Sequence, residues 1–431
     1  MTADTDSQGR PVVVVTGIGV ITSLGQGVTD NWGALTAGRS GLKRISRFPT
    51  EGLRTTVAGS IDFMPLGEFS TPALSEAIAA GAIEEAVAMA AIGAKGSFPG
   101  PLFLALPPVE LEWKQRRALA AASGAAGAIG YPELLAAAGA GGFADTYARF
   151  LFASVGEALA ERFGTRGVPI EVSTACASGA TAIQLGVEAI RRGETEVALA
   201  AGTDASVNVE AVVRFSLLSA LSTRNDPPQG ASRPFSKDRD GFVMAEGAGA
   251  LVLESLAHAR ARGAAILGVM EGLGEMADSF HRTRSSPDGK PIIACMRRAI
   301  ADAGLTPEAS GTRGIGYVNA HGTSTPENDK MEWQCLSAVF GDRARQVPVS
   351  SNKSMIGHTL SAAGVVEAVF TLLSLRHGLL PPTINYDIPD PALPIDCVPN
   401  VARAADVAHA LSNSFGFGGQ NVSLVLGREP A

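Results

Sequence analysis

Short runs of β-branched residues alternate with longer alanine-rich runs along most of the chain. Residues 11–17 hold four consecutive valines followed by Thr-Gly, which predicts a buried strand that ends in a turn. Residues 75–94 place alanine, isoleucine and valine at helical spacing and predict a long helix. Strands that alternate with helices in this way are typical of an α/β protein.

The clearest local unit is a strand, a helix and a returning strand. Val-Pro-Ile-Glu-Val-Ser at 168–173 predicts the first strand, and residues 196–202 predict the second. Between them, residues 177–192 predict a helix that ends before Gly193, a residue type that commonly terminates helices. Its apolar side chains recur every three or four positions and form one buried face: Ala180, Ile183, Val187 and Ile190.

A second unit further along the chain is similar to the first. Another Val-Pro strand is predicted at 347–351, followed by a turn that carries Lys353 and His358. An apolar helix is then predicted from about 360 to 376, where His-Gly closes it.

The similarity of the two units predicts an internal duplication. The two Val-Pro pairs lie 347 − 168 = 179 residues apart, and this offset matches Cys176 with Met355. We therefore predict two related α/β halves, residues 1–265 and 266–431.

The composition describes a globular protein with a large core. Hydrophobic residues make up 46% of the 431 residues and charged residues only 18%, which excludes a disordered chain. The net charge of 35 − 42 = −7 argues against a basic nucleic-acid-binding protein.

Neither a secretion signal nor a membrane span is predicted. The first ten residues are polar and acidic, and the most apolar stretch, residues 118–144, is interrupted by Pro132 and Glu133. Four cysteines are too few for a disulfide scaffold in a chain of this length. We therefore expect a soluble, cytoplasmic protein with reduced thiols and no membrane insertion.

Cys176 is the candidate nucleophile. It lies in Ser-Thr-Ala-Cys-Ala-Ser-Gly, residues 173–179, between a predicted strand and a predicted helix. The free N–H groups at a helix start favour a thiolate, and the small neighbours leave room for a substrate. An isolated cysteine is usually a packing residue, which is how we interpret Cys295, Cys335 and Cys397.

Two of the six histidines lie in turns rich in glycine, serine and threonine that follow predicted strands. His321 belongs to Tyr-Val-Asn-Ala-His-Gly-Thr-Ser-Thr-Pro and His358 to Ser-Asn-Lys-Ser-Met-Ile-Gly-His. An imidazole there can move a proton or stabilise a developing oxyanion. Metal binding is the alternative, but no cysteine or histidine pair has the close spacing of a zinc site. His281 lies in Asp-Ser-Phe-His-Arg-Thr and is a candidate for the mouth of the site.

A glycine-rich segment near the C-terminus is a further candidate. In Asn-Ser-Phe-Gly-Phe-Gly-Gly-Gln-Asn, residues 413–421, glycines on both sides of Phe417 would let its backbone N–H approach a substrate. A plain glycine-rich hairpin is the alternative. Gly17 and Gly19 do not predict a dinucleotide site, because Thr22 stands where the third glycine of that fingerprint is required.

Together these motifs resemble those of the β-ketoacyl-acyl-carrier-protein synthases, in the elongating Cys-His-His branch of the thiolase superfamily. The resemblance extends from Val12 to Leu426, and is strongest after Gly167. It implies a duplicated α-β-α-β-α fold of five layers and a homodimer. It also implies a decarboxylative Claisen condensation, in which malonyl-carrier protein extends an enzyme-bound acyl chain by two carbons in fatty acid synthesis.

The resemblance implies a role for each motif residue. Cys176 is the acylated nucleophile, and His321 and His358 assist decarboxylation and polarise the donor thioester. Lys353 belongs to the same site and pairs with Glu367. The backbone N–H groups of Cys176 and Phe417 form the oxyanion hole, and Phe417 also gates the acyl pocket.

The resemblance further implies how substrates are held. Thr323, Thr325 and Thr283 bind the phosphopantetheine arm of acyl carrier protein. No metal or other cofactor is expected. Acyl carrier proteins are acidic, so a basic patch is expected on the surface, for which there are two candidate groups: Lys114, Arg116 and Arg117, or Arg214 and Arg224.

Two segments depart from the family pattern. Residues 102–111 replace a glycine-rich stretch that forms part of the acyl pocket floor in relatives, and Val109 stands where a bulkier isoleucine limits chain length. We hypothesise a synthase specialised for unusually long acyl chains. Gln420 replaces the usual threonine after Gly-Gly, and the sequence predicts no effect for it.

Three alternatives share parts of this pattern. A polyketide-type ketosynthase uses the same chemistry on another substrate, and the sequence does not separate it. A chain-length factor lacks the active-site cysteine, so Cys176 argues against it. A cysteine hydrolase would use water as the acceptor and would release free acid without incorporating malonate.

Overall fold

A computed structural model of the chain describes residues 4–65, 69–124 and 130–430. Most of the strands belong to one 11-stranded sheet. The strands are β1 (Val13–Thr22), β2 (Gly25–Gln26), β3 (Lys43–Arg44), β4 (Val57–Ala58), β5 (Leu102–Ala105), β6 (Ile170–Val172), β7 (Val197–Asp204), β8 (Gly247–Ser255), β9 (Gly268–Ala277), β10 (Ile315–Asn319), β11 (Val349–Ser350), β12 (Leu379–Leu380), β13 (Arg403–Ala404), β14 (His409–Phe415) and β15 (Gln420–Gly427).

Helices alternate with these strands, as the sequence pattern predicts. They are α1 (Val28–Thr36), α2 (Thr71–Ala90), α3 (Trp113–Ala122), α4 (Tyr131–Gly139), α5 (Ala144–Arg149), α6 (Ser154–Phe163), α7 (Ser178–Arg191), α8 (Val209–Leu217), α9 (Leu256–Ala261), α10 (Lys290–Asp302), α11 (Pro326–Phe340), α12 (Lys353–Ile356) and α13 (Ala363–His377). Two of the short 3-10 turns position the site, Ala175–Ala177 before α7 and Leu360–Ala362 before α13.

The large sheet consists of two halves with the same strand order. In chain order the main strands of the first half are β1, β5, β6, β7 and β8, and those of the second are β9, β10, β11, β14 and β15. If the five main strands of each half are numbered 1 to 5 in chain order, their order across the sheet is 3-2-4-5-1 in both halves. In both halves strand 2 is parallel to strands 3 and 4, and strand 5 is antiparallel to strands 4 and 1. The predicted duplicated α/β fold is confirmed. The predicted boundary between residues 265 and 266 lies in the loop between α9 and β9.

The helices complete five layers. On the outer faces of the sheet, α2 packs against the first half and α10 against the second. Between the halves, α7 and α13 pack against each other and against strands of both. β1 also pairs with β9 and joins the two halves into one sheet. Since α13 has a sheet on two sides, it is buried along most of its length, which explains why most of its residues are apolar.

The segment Leu360–His377 is long and apolar enough to cross a membrane by length and composition alone. In this fold 89% of it is buried inside the protein. Its apolar character is therefore that of a central core helix.

The two central helices touch at a pair of glycines. A side-chain carbon on Gly179 would lie 2.7 Å from the backbone nitrogen of Val365, and one on Gly364 would lie 2.3 Å from that of Ala180. No larger residue fits at either position unless the helices separate. Because Gly179 follows Cys176 by three residues, this contact also positions the candidate nucleophile.

Each half has a tight elbow between its third strand and the central helix. Ala175 opens the first elbow with a φ of 51°, and Leu360 opens the second with a φ of 45°. The offset between them is 360 − 175 = 185 residues, so Cys176 corresponds to Ser361. The predicted match with Met355 is wrong, because the second half inserts α12 between the strand and the elbow.

Candidate active site

Cys176 lies on the first elbow, directly before α7. The left-handed backbone of Ala175 turns the chain there, and Cys176 follows within the 3-10 turn. The side chain is 8% exposed, so it is nearly enclosed. The strand–turn–helix position predicted for the nucleophile is therefore present.

The side chains of Cys176, His321 and His358 meet in one buried cluster. One sulfur or nitrogen atom from each lies within 4.8 Å of the other two. The two imidazole rings meet edge to face, with centroids 5.4 Å apart and planes 83° apart. The predicted Cys-His-His cluster is present, with the thiol from the first half of the chain and both imidazoles from the second.

His358 is held by backbone hydrogen bonds on both sides. Its N–H donates to the carbonyl of Val243 over 2.7 Å, and its carbonyl accepts from the N–H of Ala245 over 2.9 Å. A side-chain carbon on the preceding Gly357, whose φ is 80°, would lie 2.9 Å from the Ala245 side chain. Glycine is therefore required at position 357 for the His358 imidazole to enter the cluster.

A backbone contact assigns the tautomer of His358. The N–H of Leu360 donates to His358 Nδ1 over 3.2 Å, so Nδ1 carries a lone pair and the neutral ring carries its proton on Nε2. His358 Nε2 is buried without a partner among the described residues. It therefore offers an N–H to a substrate oxygen. By spacing alone the cluster could hold a metal, but a protonated Nε2 has no lone pair to give.

His321 is held by a buried carboxylate that the sequence analysis missed. Glu332, on α11, accepts the N–H of His321 over 2.9 Å and that of Gly322 over 2.8 Å. The amide of Asn413 also donates to Glu332, over 3.2 Å. His321 Nδ1 has no partner among the described residues. The backbone of this loop is thus fixed while a ring nitrogen stays available.

Lys353 places a positive charge beside the cluster. It forms an ion pair with Glu367 on α13, and both side chains are 1% exposed. Burial lowers the pKa of His321 and of His358 well below the usual value, and the charge of Lys353 lowers both further. Both imidazoles are therefore neutral at physiological pH. His358 offers its Nε2–H as a hydrogen-bond donor, and His321 can act as a base or as a donor.

The thiol of Cys176 is protonated at rest. Burial raises its pKa to about 11, although the charge of Lys353 and the backbone N–H of Phe417 act in the opposite direction. The helix start alone therefore does not produce a resting thiolate, because burial outweighs it. The proton must leave as the sulfur attacks, and the neutral imidazole of His321, whose Nδ1 has no partner among the described residues, is a suitable acceptor.

The glycine-rich hairpin between β14 and β15 borders the elbow of Cys176. A side-chain carbon on Gly416 would lie 2.7 Å from the carbonyl oxygen of Thr174 and 3.3 Å from the nitrogen of Ala177. The neighbouring Phe417 directs its N–H at the Cys176 sulfur, and its side chain is 36% exposed. The hairpin therefore brings a backbone donor to the reacting atom.

Gln420, for which the sequence predicted no effect, closes the base of this hairpin. Its carbonyl accepts the N–H of Gly416 over 2.7 Å, and its side-chain amide donates to Glu275 on β9. Glu275 in turn accepts from Gln184 on α7 over 3.1 Å. Gln420 thus connects the Phe417 hairpin to the helix that follows Cys176.

The three predicted threonines lie on two loops. The hydroxyls of Thr323 and Thr325 are 2.9 Å apart, in the loop that carries His321. Thr283 lies on the loop after β9, where the carbonyl of Arg282 accepts the N–H of Gly418 over 2.7 Å. Thr283 is therefore beside the Phe417 hairpin, while Thr323 and Thr325 are beside His321.

Val109 lies outside the cluster. It is half-buried, packs against the core of the first half and lines a cleft beyond the end of β5.

The candidate basic residues have acidic neighbours. Arg116 and Arg214 both pair with Glu110, over 3.6 and 2.6 Å. Arg224 pairs with Asp238 over 3.1 Å. Lys114 also has a partner, and Arg117 is exposed.

Asp204 is a second buried carboxylate that the sequence analysis missed. It ends β7 and accepts the N–H of Ser361 over 3.1 Å and that of Ser206 over 3.0 Å. Burial raises its pKa to about 6. Because Ser361 lies on the second elbow, Asp204 fixes that elbow to the first half of the sheet, next to Cys176.

Replacing Glu332 with glutamine is expected to destabilise the protein by about 1–3 kcal/mol, because a single amide oxygen leaves one buried N–H unpaired. Burial raises the pKa of Glu332 from 4.5 to about 7. Between these values the folded protein holds a proton that the unfolded chain has released, so this contribution to stability is lost as the pH rises through 7.

Unfolding free energies of the wild type and Glu332→Gln, measured from pH 5 to 8, will test this. Their difference should shrink as the pH rises, since glutamine does not titrate. Glu327→Gln is the control, on the same helix but exposed. A difference that is constant or grows with pH would contradict the assignment.

Comparison with known families agrees with this geometry. The family model for the beta-ketoacyl synthase N-terminal domain matches residues 10–89 and 116–259, and that for the C-terminal domain matches residues 267–387. Residues 90–115, which include the segment that departs from the family pattern, lie outside both matches.

Curated relatives match over nearly the whole chain. The chain is 38% identical to 3-oxoacyl-[acyl-carrier-protein] synthase 2 of Vibrio harveyi, over 96% of this chain and 98% of the relative. It is 36% identical to the tetracenomycin polyketide synthase ketoacyl synthase alpha subunit of Streptomyces glaucescens, over 96% and 97%.

The fold is similar to that of a solved type II ketosynthase. That ketosynthase, AntDE, was determined bound to a hexaketide and in complex with its acyl-carrier protein AntF. The TM-score is 0.86 at 31% identity, and the match covers 97% of this chain and 100% of the other. With the family models matching both halves and the Cys-His-His cluster in place, the chain belongs to the β-ketoacyl synthase family.

Proposed function

We propose that the protein is a 3-oxoacyl-[acyl-carrier-protein] synthase, an acyltransferase that extends a Cys176-bound acyl chain by decarboxylative Claisen condensation. The observation that carries the proposal is the enclosed cluster of one thiol and two neutral imidazoles. The names of the relatives support the same class of reaction.

In the first half-reaction, the Cys176 sulfur attacks the thioester carbonyl of the acyl donor. The thiol proton passes to a neighbouring imidazole, and the carrier leaves as a free thiol after taking up one proton. The oxyanion that forms in between needs donors that are already in position. The N–H of Phe417 faces the sulfur, and the N–H of Cys176 at the helix start is the proposed second donor.

In the second half-reaction, a malonyl thioester loses carbon dioxide and its enolate carbon attacks the acyl-Cys176 carbonyl. A carbon–carbon bond forms, the carbon–sulfur bond to Cys176 breaks, and the sulfur recovers a proton. Negative charge develops on the enolate oxygen, where the Nε2–H of His358 can donate. His321 supplies a second imidazole, and the charge of Lys353 stabilises the anions. The proposed steps use no metal and no other cofactor.

Acyl carrier protein is the proposed partner for both acyl and malonyl groups. The similar ketosynthase AntDE was solved in complex with such a carrier. We propose that Thr323, Thr325 and Thr283 bind the phosphopantetheine arm, since their loops border His321 and the Phe417 hairpin. The cytoplasm is the proposed location.

A homodimer is the proposed assembly. Among the described residues, β6 pairs with β5 on one side only and forms an edge of the large sheet. Val168 and Ile170 along this edge are 83% and 46% exposed. An apolar edge strand readily pairs with another chain, so β6 is the proposed contact between two copies.

The decisive experiment is product analysis by mass spectrometry with purified carrier proteins. We expect acyl-Cys176, then carbon dioxide and a 3-oxoacyl-carrier product two carbons longer than the starting chain. Free acid without malonyl incorporation would instead identify a thioester hydrolase. A series of acyl lengths in the same assay tests the predicted preference for unusually long chains, which an ordinary medium-length optimum would contradict.

A further inference from the structure

Three polar side chains form a hydrogen-bonded row between α7 and the adjoining ends of β9 and β15. Gln184, on α7, lies eight residues after Cys176 and is 9% exposed. Its amide donates to one carboxylate oxygen of Glu275, on β9, over 3.1 Å, and the other oxygen of Glu275 accepts from the amide of Gln420, on β15. One carboxylate therefore joins the helix to the strand, with each of its oxygens paired.

The register of the two strands puts this row on the face of the sheet that packs against α7. Gln420 is paired with Ala277 and Val422 with Glu275, so Gln420 and Glu275 are diagonal neighbours on one face. Val422 belongs to the same core cluster as Val187 of α7. The row therefore borders apolar core, where a hydrogen bond to a charged group is stronger than it is in water.

Gln420 also closes the hairpin that carries the Phe417 donor. Its carbonyl accepts the N–H of Gly416 over 2.7 Å, and the N–H of Phe417 faces the Cys176 sulfur. Three of the five residues 416–420 are glycines, so the hairpin has few side chains to hold it in one conformation. The side chain of Gln420 is thus an anchor for a flexible segment.

The tip of the hairpin is held from the other side, by the loop after β9. The carbonyl of Arg282 accepts the N–H of Gly418, and the carbonyl of Gly419 accepts the N–H of Asp278, each over 2.7 Å. These contacts connect the hairpin to the second half of the chain. Gln420 connects its base, through Glu275 and Gln184, to the helix that follows Cys176.

The position of the hairpin relative to α7 matters for the proposed chemistry. The oxyanion would lie between the N–H groups of Phe417 and Cys176, which belong to the hairpin and to the helix start. Such donors are effective at about 3 Å from the oxygen, and a displacement of about 0.5 Å already weakens them. A side-chain link between the two segments limits that displacement.

We propose, building on the proposed function, that Glu275 and Gln420 are positioning residues that fix the Phe417 N–H relative to Cys176 for stabilisation of the oxyanion. They act through the hairpin and α7 rather than on the reacting atoms. This deepens the proposed function by assigning the side chains that keep its oxyanion hole in register.

The test begins with Gln420→Glu, which places two carboxylates where an amide and a carboxylate now meet. Their repulsion should displace the hairpin. With the acetyl thioester of N-acetylcysteamine, kcat for acylation of Cys176 should fall about tenfold, part of the effect of losing one oxyanion donor. KM should stay within about twofold, because the donor stabilises the transition state rather than the bound thioester. Intact-protein mass spectrometry follows the acylation.

The double variant Gln420→Glu with Glu275→Gln exchanges the two groups and should restore kcat to within about twofold of the wild type. Its amide at position 275 donates to the carboxylate at position 420, and the carbonyl oxygen of that amide still accepts from Gln184. Thermal unfolding shows whether each variant is folded. If Gln420→Glu does not fold, Gln420→Ala removes the amide without adding a charge, and its kcat should fall about threefold.

Gln334→Glu is the matched control, at an exposed glutamine on α11 whose amide donates to the carbonyl of Pro287 over 3.2 Å. It should acylate Cys176 with the wild-type kcat. A wild-type kcat in folded Gln420→Glu or in Gln420→Ala, or a double variant no faster than Gln420→Glu, would overturn the inference. Wild-type protein that acylates Cys176 but forms no 3-oxoacyl product would contradict the proposed function alone, since the acylation assay contains no malonyl donor.

Discussion

Replacing Cys176 with serine will lower the rate of acyl-enzyme formation by about 10⁴-fold or more. The thiol already has a pKa raised to about 11 by burial, and a hydroxyl is a far weaker acid and a poorer nucleophile in the same place. The neutral imidazoles are not basic enough to compensate for that difference. Intact-protein mass spectrometry after incubation with an acyl thioester measures the loading directly.

Cys335→Ala serves as the control for this substitution. Cys335 is also buried but lies on α11, outside the cluster, so loading should continue at the wild-type rate. Thermal unfolding of both variants shows whether the fold is retained. If folded Cys176→Ser still accumulated a covalent acyl group at the wild-type rate, another residue would have to be the nucleophile.

Replacing His358 with alanine is the second change with a large expected effect. It removes the Nε2–H that faces the cluster, so decarboxylation and condensation should fall by about 10²–10³-fold. Loading of Cys176 should fall less, since His321 remains as a proton acceptor. Release of labelled carbon dioxide from malonyl-carrier protein and acyl-Cys176 formation, measured separately, distinguish the two steps.

His377→Ala is the control, because His377 lies at the end of α13, where it stacks on Trp32. Unimpaired condensation in His358→Ala would contradict the proposed role of the His358 N–H.

The wild-type condensation rate should change little between pH 6 and 8 on account of His321 and His358, because burial and Lys353 lower the pKa of both rings well below 6.5.

The local sequence pattern was sufficient to predict the helix and the strand on either side of Cys176. The helix predicted at 177–192 is observed at Ser178–Arg191, because its apolar spacing and the glycine after it are both local signals. The strand predicted at 168–173 is shorter, Ile170–Val172. The helix predicted at 75–94 is observed at Thr71–Ala90. It begins four residues earlier because proline is tolerated in the first turn of a helix, and it ends four residues earlier because the backbone of Ala91 is left-handed.

The Cys-His-His cluster was predicted from its motifs, but its supporting residues were not. Glu332 accepts backbone N–H groups that precede it by ten and eleven residues, and Asp204 accepts one from Ser361 in the other half of the chain. The residues around each carboxylate do not indicate these partners. The mismatch of Cys176 with Met355 has a similar cause. Aligning the two Val-Pro pairs matches the sequences, whereas the backbones of the two halves superpose at the elbows. The two alignments differ because α12 is inserted in the second half, and a comparison without gaps does not detect an insertion.

The contact between Gly179 and Gly364 holds the two duplicated halves together at the point where the chemistry takes place. A fragment ending at residue 265 would carry Cys176 without His321 and His358, and the remainder would carry both of these histidines without Cys176. Although each half repeats the other in topology, neither is a smaller working version of the whole. After the duplication, the two copies became obligate contributors to a single catalytic centre, and only an intact chain or correctly reassembled halves can be active.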